Sequence, residues 1–318
     1  MTLHTGASKC AAWSGLSKAF SDPTNIDTCL QESGLSEVIK VPAFVEMPTI
    51  SRSPLGEVDV EEVMTRVSRQ NFLARDGRVI SPTSVKDGYA IGQPSAIVDT
   101  IRSFVDQGWA SVEAIFPLYG GGADCFVLAL DVPGFQTVAD GDSTWYMVVI
   151  NYHGRGSCKA KVLRYRHKCR NIGTAAFASG SDWAIRHSGD FDSKLAWAAR
   201  TWKEAKDQIT DIAHKLDLFM DCTLPIKDTV TDILGVDEKS STRKQNQRDE
   251  IVSFACNSVN YCGPNALSVL NGFTGWATHD LSGKAGKSAE SRLESHIDGA
   301  RGQLEQKAVK YLLDMVAA

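Results

Sequence analysis

The sequence predicts an α+β protein: an antiparallel sheet of about four strands in a meander, then a long heptad-patterned helix and a helical C-terminal region. Three observations carry this. Between Ser111 and Arg166 four apolar runs follow one another, with connections too short for parallel crossovers. From Leu195 to Phe219 apolar residues recur at alternating steps of three and four. Beyond Val236 the apolar spacing is helical.

Residues 1–70 are poorly patterned. The Ser- and Pro-rich stretch Pro42–Pro54 reads as extended chain. Asp59–Gln70 reads as a short helix with Val60, Val63, Met64 and Val67 on one face. A helix opens at Gln93-Pro94-Ser95, carries Ile97, Ile101, Phe104 and Val105 inward, and ends at Gly108. Ser111–Tyr119 and Cys125–Val132, joined by Gly120-Gly121-Gly122, form a hairpin. Thr144–His153 and Cys158–Arg166 are the third and fourth strands, linked through Gly154-Arg155-Gly156.

Cys169–Ala178 reads as a helix and Trp183–His187 as a short strand. The longest helix opens near Asp192-Ser193, both good capping residues. Leu195, Ala198, Trp202, Ala205, Ile209, Ile212, Leu216 and Phe219 make its seam. Such a seam fits packing on the chain's own sheet or contact with a helix of another subunit, and spacing alone does not separate the two. Val236–Asp249 is a linker or the exposed start of a helix. Ile251–Ser258, Pro264–Thr278 (with Pro264 in the first turn) and Gly302–Met315 are helical. The chain thus divides into an N-terminal segment 1–70, a core 71–235 and a helical region 236–318.

The 318 residues suffice for one large or two modest domains. With 43% apolar and 23% charged residues, composition is ordinary for a folded protein. The net charge of -4 rules out a globally basic surface, so any nucleic-acid site is a local patch. The eight cysteines are scattered, and none forms a CxxC pair. They read as free thiols of a reduced compartment, with no metal site and no cofactor. No apolar run is long enough for a signal peptide or a membrane span, so the expected location is the cytoplasm, the host's if the chain is phage-encoded. GxxxxGK[ST], HExxH and GxSxG are absent, and no catalytic residue is assigned.

The strongest local signal is basic. Lys159, Lys161, Arg164, Arg166, Lys168 and Arg170 place six cations within twelve residues, with no acid among them. Alternate residues of a strand share a face, so Lys159 and Lys161 point one way and Arg164, Arg166, Lys168 and Arg170 the other. Such a run suits phosphate contacts. Tyr165, with Tyr152 and Trp145 nearby, suits base stacking. His153 and Arg155 join the set, because the glycines of His153-Gly154-Arg155-Gly156 let a ligand approach the backbone. The expected partner is single-stranded nucleic acid, DNA rather than RNA, bound by a homo-oligomer built through the 195–219 helix. Two alternatives stay open. One is an enzyme with a site near His153, Cys169 and His187, with Asn171 beside them. The other is a structural or interaction protein whose ridge meets an acidic protein.

The string YMVVINYHGRGSCKAKVLRYRHKCRNIGTAAF resembles the central signature of a phage- and plasmid-associated family, domain of unknown function 932. Its marks are a His-containing Gly turn, at His153, Gly154 and Gly156, and a Cys-x-Asn segment, at Cys169 and Asn171. IRHSGDFDSKLAWA resembles the family's Arg-His segment before a long helix, at Arg186 and His187. SRLESHIDGARGQLEQKAVKYL resembles its closing pattern, at Arg292, Gly299, Gly302, Lys307 and Ala308. Arg155 departs from the acid that the family often carries there. The resemblance covers about residues 70–318 and implies a phage, prophage or plasmid origin without supplying a function. A looser likeness is to phage single-strand annealing proteins, which set a small antiparallel sheet against a long helix and assemble into rings or filaments.

Overall fold

The computed structural model describes residues 16, 19–52, 58–131, 143–166, 171–174, 183–279, 290–291, 294–295 and 299–317. Within these, 47–52, 58–63, 171–174 and 201–214 are described by their backbone alone. The fold is α+β, as the sequence indicates, with two antiparallel sheets and a helical layer.

A short helix, α1 (Ile26–Ser33), precedes the first sheet. That sheet consists of β1 (Ile39–Arg52), β2 (Val58–Arg75), β3 (Arg78–Val79) and β4 (Val85–Lys86), all paired antiparallel. Asp59–Gln70 is therefore part of strand β2, not a helix. The three-and-four spacing of its valines fits a helix, but this Val- and Thr-bearing stretch finds a strand of matching length upstream. Pairing with β1 from Val58↔Arg52 to Ala74↔Ile39 overrides local periodicity. Register breaks between Pro42 and Phe44, where β2 holds Arg69 at φ 58. Such a bulge bends a ribbon.

α2 (Pro94–Asp106) starts with Pro94 in its first turn, and Gly108 follows its end at φ 68. The second sheet is the expected meander of β5 (Ala110–Leu118), β6 (Ala123–Leu130), β7 (Ser143–Tyr152) and β8 (Ser157–Arg166). Two further strands share the far edge of β8. β9 (Asn171–Thr174) pairs with Leu163–Arg166, and β10 (Trp183–Arg186) pairs with Ser157–Ala160. The helix expected at Cys169–Ala178 is thus a strand over Asn171–Thr174, because β8 leaves backbone groups there that a strand satisfies. The rest of that expectation lies outside the described residues.

The central strands are buried on both faces, so they read as continuous apolar runs rather than as alternation. One face (Phe126, Leu128, Met147, Val149, Ala160, Val162) shares a core with the helices. The other carries Phe116, Val127, Val148, Ile150, Leu163 and Tyr165.

α3 (Phe191–Asp221) is capped by Asp190, whose carboxylate accepts the Ser193 backbone N–H at 3.0 Å. Its start therefore lies just before the Asp192-Ser193 pair. Leu195, Ala198, Leu216 and Phe219, the two ends of the seam, are buried in the chain's own core. Trp202, Ala205, Ile209 and Ile212 belong to the stretch described by backbone alone. α4 (Ile226–Leu234), α5 (Thr242–Cys262), α6 (Ala266–His279) and α7 (Ala300–Ala317) complete the helical layer. α3 packs on α2, α6, α7 and β10. Pro264 precedes α6 instead of lying in its first turn, since Asn265 Oδ1 accepts the Ser268 N–H at 3.0 Å and caps the helix. Among the described residues no helix is long and apolar enough to cross a membrane.

Candidate functional site

Where the two sheets meet, three charged or ionisable side chains are enclosed together. Asp124, the lone acid of the strand sequence ADCFVLAL, lies opposite Asn151 on β7. Arg75, at the end of β2, donates to both carboxylate oxygens of Asp124, Nη1 to Oδ1 at 2.8 Å and Nη2 to Oδ2 at 2.7 Å. His153, just past β7, places Nε2 2.8 Å from Asp124 Oδ2. Asp124 and His153 have no exposed surface, and Arg75 is 7% exposed. Burial pushes the Asp124 carboxyl upward, but the hydrogen bonds from His153 and Arg75 outweigh it and hold the group below the usual carboxylate range. The cluster clamps the N-terminal sheet to the meander.

A second layer surrounds it. His187, one residue past β10, is stacked between Tyr89 (5.0 Å between ring centroids) and Phe191 (4.8 Å). Its Nδ1 donates to the Ala90 carbonyl at 3.0 Å, and burial pushes its pKa down to about 4, so the ring is neutral at pH 7. Tyr89 Oη accepts the Gly154 N–H at 3.1 Å and donates to the Tyr152 carbonyl at 3.3 Å. Gly154 sits at φ +74, and a Cβ there would come within 2.7 Å of Ser81 Cβ. Asn151 Nδ2 donates to the Gly92 carbonyl at 2.7 Å. Among the described residues no hydrogen-bond partner reaches the buried Arg75 Nε, Asn151 Oδ1 or His153 Nδ1.

The structure divides the basic run. Arg166 lies on the helix-facing side of β8, 4% exposed, with its guanidinium 5.0 Å from the Tyr261 ring centroid and Nη2 donating to Cys262 Sγ at 3.2 Å. Arg164 shares that face and is half-buried. Tyr165 is 2% exposed within the opposite core and presents no ring for stacking. Lys159 and Lys161, half-buried, stand on Tyr165's side of the strand. Lys168 and Arg170 lie outside the described residues, as does Cys169. The strand's own alternation sends the cations to opposite faces, so β8 presents no single ridge.

Arg155 remains exposed on the β7–β8 turn. Its guanidinium lies 4.5 Å from the Tyr119 ring centroid and 5.6 Å from that of Tyr152, while Lys159 Nζ is 5.9 Å from the Tyr152 ring. Two acids brace the tyrosines. Glu290 accepts the Tyr119 N–H at 3.0 Å, and Glu294 accepts the hydroxyls of Tyr119 at 2.5 Å and Tyr152 at 3.2 Å. Sequence reasoning found His153, Arg155, His187 and Lys159 but missed Arg75, Asp124, Tyr89 and Asn151. A lone Asp inside an otherwise apolar strand was the available signal, since a buried acid needs a partner.

No curated protein and no solved structure matches this chain. The family described as Domain of unknown function (DUF932) matches residues 83–297, which hold Asp124, Asn151, His153 and His187, and the chain belongs to that family.

Proposed function

We propose that this protein binds single-stranded nucleic acid at the β7–β8 turn, without a cofactor and as an oligomer. One observation supports the reading: exposed Arg155 lies over the half-buried Tyr119 ring with Lys159 nearby, which sets cations beside aromatic surface as base-stacking, backbone-holding sites do. Glu290 and Glu294 beside the platform moderate its charge, so the electrostatic contribution is modest. With Arg155, Lys159 and Lys161 as phosphate contacts, log affinity for an oligothymidylate should fall against log salt with a slope of about -2. Fluorescence anisotropy at several salt concentrations measures this. Triple replacement of the three cations by Ala should bring the slope close to zero. A wild-type protein that does not bind, or a triple variant with unchanged slope, would sink the reading.

A second reading rests on His153. Asp124 holds one nitrogen of this imidazole and no partner among the described residues reaches the other, a pairing found in general bases, so an enzyme would need an opening that admits substrate to the enclosed ring. Loss or alteration of an end-labelled oligonucleotide that disappears in His153→Asn and persists in Arg155→Ala would favour an enzyme over a binding protein.

A further inference from the structure

We infer that Glu290 and Glu294 restrict the β7–β8 platform to single strands, by fixing two carboxylates where a duplex would have to place phosphate. The inference rests on the nucleic-acid reading of that turn and goes beyond it, since it names the residues that refuse the duplex. Both acids come from 142 to 175 residues further along the chain than the tyrosines they hold. Glu290 Oε1 accepts the Tyr119 N–H at 3.0 Å. Glu294 accepts the Tyr119 hydroxyl on Oε2 at 2.5 Å and the Tyr152 hydroxyl on Oε1 at 3.2 Å. With both oxygens engaged, the Glu294 side chain is held and its charge does not swing away from the turn. Glu290 and Glu294 are half-buried, so bulk water screens them less than it screens a free surface acid. Arg155 stands over the same Tyr119 ring, and among the described residues no carboxylate pairs with it. Glu294 Oε2 lies at most about 10 Å from the Arg155 guanidinium carbon, about one Debye length at 0.1 M salt, and so acts on whatever that cation holds.

Charge then decides which nucleic acid fits. At the two tyrosines, Arg155 and Lys159 are matched by Glu290 and Glu294. The platform therefore has no net positive charge with which to hold a densely charged polyanion. A duplex carries one charge per about 1.7 Å of axis, its bases are covered, and it presents phosphates along both strands. Laid on Arg155, it sets phosphate against the acids as well as against the cation, and like charges so juxtaposed weaken binding. A single strand has bases that splay to one side while its phosphates stay on the other. It places phosphate on Arg155, stacks a base on the guanidinium plane, and turns base edges rather than phosphates towards the acids. The N–H groups on those edges are donors that a carboxylate accepts. A repulsive element set beside an attractive one is how specific sites separate similar ligands.

The experiment compares an oligothymidylate with a blunt mixed-sequence duplex of equal length, by anisotropy on the full chain. Wild type should bind the duplex at least about tenfold more weakly than the single strand. Gln keeps an oxygen to accept the Tyr119 N–H and the two hydroxyls but removes the charge. Glu290→Gln with Glu294→Gln should therefore raise duplex affinity about tenfold and single-strand affinity no more than about threefold. Circular dichroism should be unchanged. Glu290→Gln alone, which leaves Glu294 and both hydroxyl contacts in place, should move duplex affinity the same way by about threefold, and it serves if the double variant does not fold. A wild type that binds both forms equally overturns the inference. So do Gln variants with unchanged duplex affinity, which would make the acids braces alone, and variants in which both forms gain alike. In each of these cases the salt slope of oligothymidylate binding still supports the reading of the turn. A wild type that binds neither form overturns that reading and this inference together.

Discussion

Asp124 and His153 meet at 2.8 Å with no exposed surface on either residue. The same carboxylate is held from the other side by Arg75, so one acid on β6 joins the end of β7 to the end of β2. Removing one member of such a group leaves charge buried without its partner, and this costs more than the intact group contributes.

Arg75→Met should therefore destabilise the protein by about 3–5 kcal/mol. Urea unfolding measures this. The double variant with Asp124→Asn should cost less than the sum of the two single changes, since it removes the stranded carboxylate. Additive losses would show that the clamp does not act as a unit.

His187 should make stability depend on pH. Its folded pKa is pushed from 6.5 down to about 4, so the unfolded chain takes up a proton first as pH falls. Stability is whole above about pH 6.5 and declines towards pH 4 by up to roughly 3 kcal/mol. His187→Phe keeps the stack with Tyr89 and Phe191 and removes the titration, so its profile should be flatter across that window. Asp124 acts lower. Its contribution is complete above the usual value of 3.8 and is lost as pH falls through its depressed folded value.

Arg166 and Arg155 should separate cleanly. Arg166→Ala removes a buried guanidinium from Tyr261 and Cys262 and should cost about 2–3 kcal/mol of stability. Arg155→Ala should cost no more than about 1 kcal/mol, because its cation–π contacts lie at the surface. Under the proposed function only the second change alters oligonucleotide binding in a protein that remains folded.

Thiol reactivity should follow burial. Cys29, Cys125 and Cys158 are enclosed, and burial raises each thiol, that of Cys29 to about 12. These three should resist iodoacetamide in the native protein while exposed Cys256 reacts. On unfolding without reductant all eight cysteines should alkylate, as expected of free thiols. Mass spectrometry of digested protein reads both states.

The meander and the helical half were legible in the sequence because their signals are local. Gly120-Gly121-Gly122 and Gly154-Arg155-Gly156 mark turns, Pro94 and Gly108 bound a helix, and Leu195 to Phe219 keep a strict spacing. The family motifs at His153 and at Arg186-His187 were legible for the same reason. What the tertiary structure decided is everything that depends on partners distant in the chain. Asp59–Gln70 of β2 reads as a helix until β1 pairs with it, and Asn171–Thr174 does so until the edge of β8 is available. Six cations within twelve residues read as one basic patch until sheet pleating and the helical layer put Arg166 beneath Tyr261 and leave Lys159 and Lys161 on the other face of β8. Arg75, Asp124 and His153 lie 49 and 29 residues apart along the chain, and no local pattern announces that they meet. Periodicity and turn chemistry are properties of neighbouring residues, whereas burial and charge pairing arise only once distant strands are packed together.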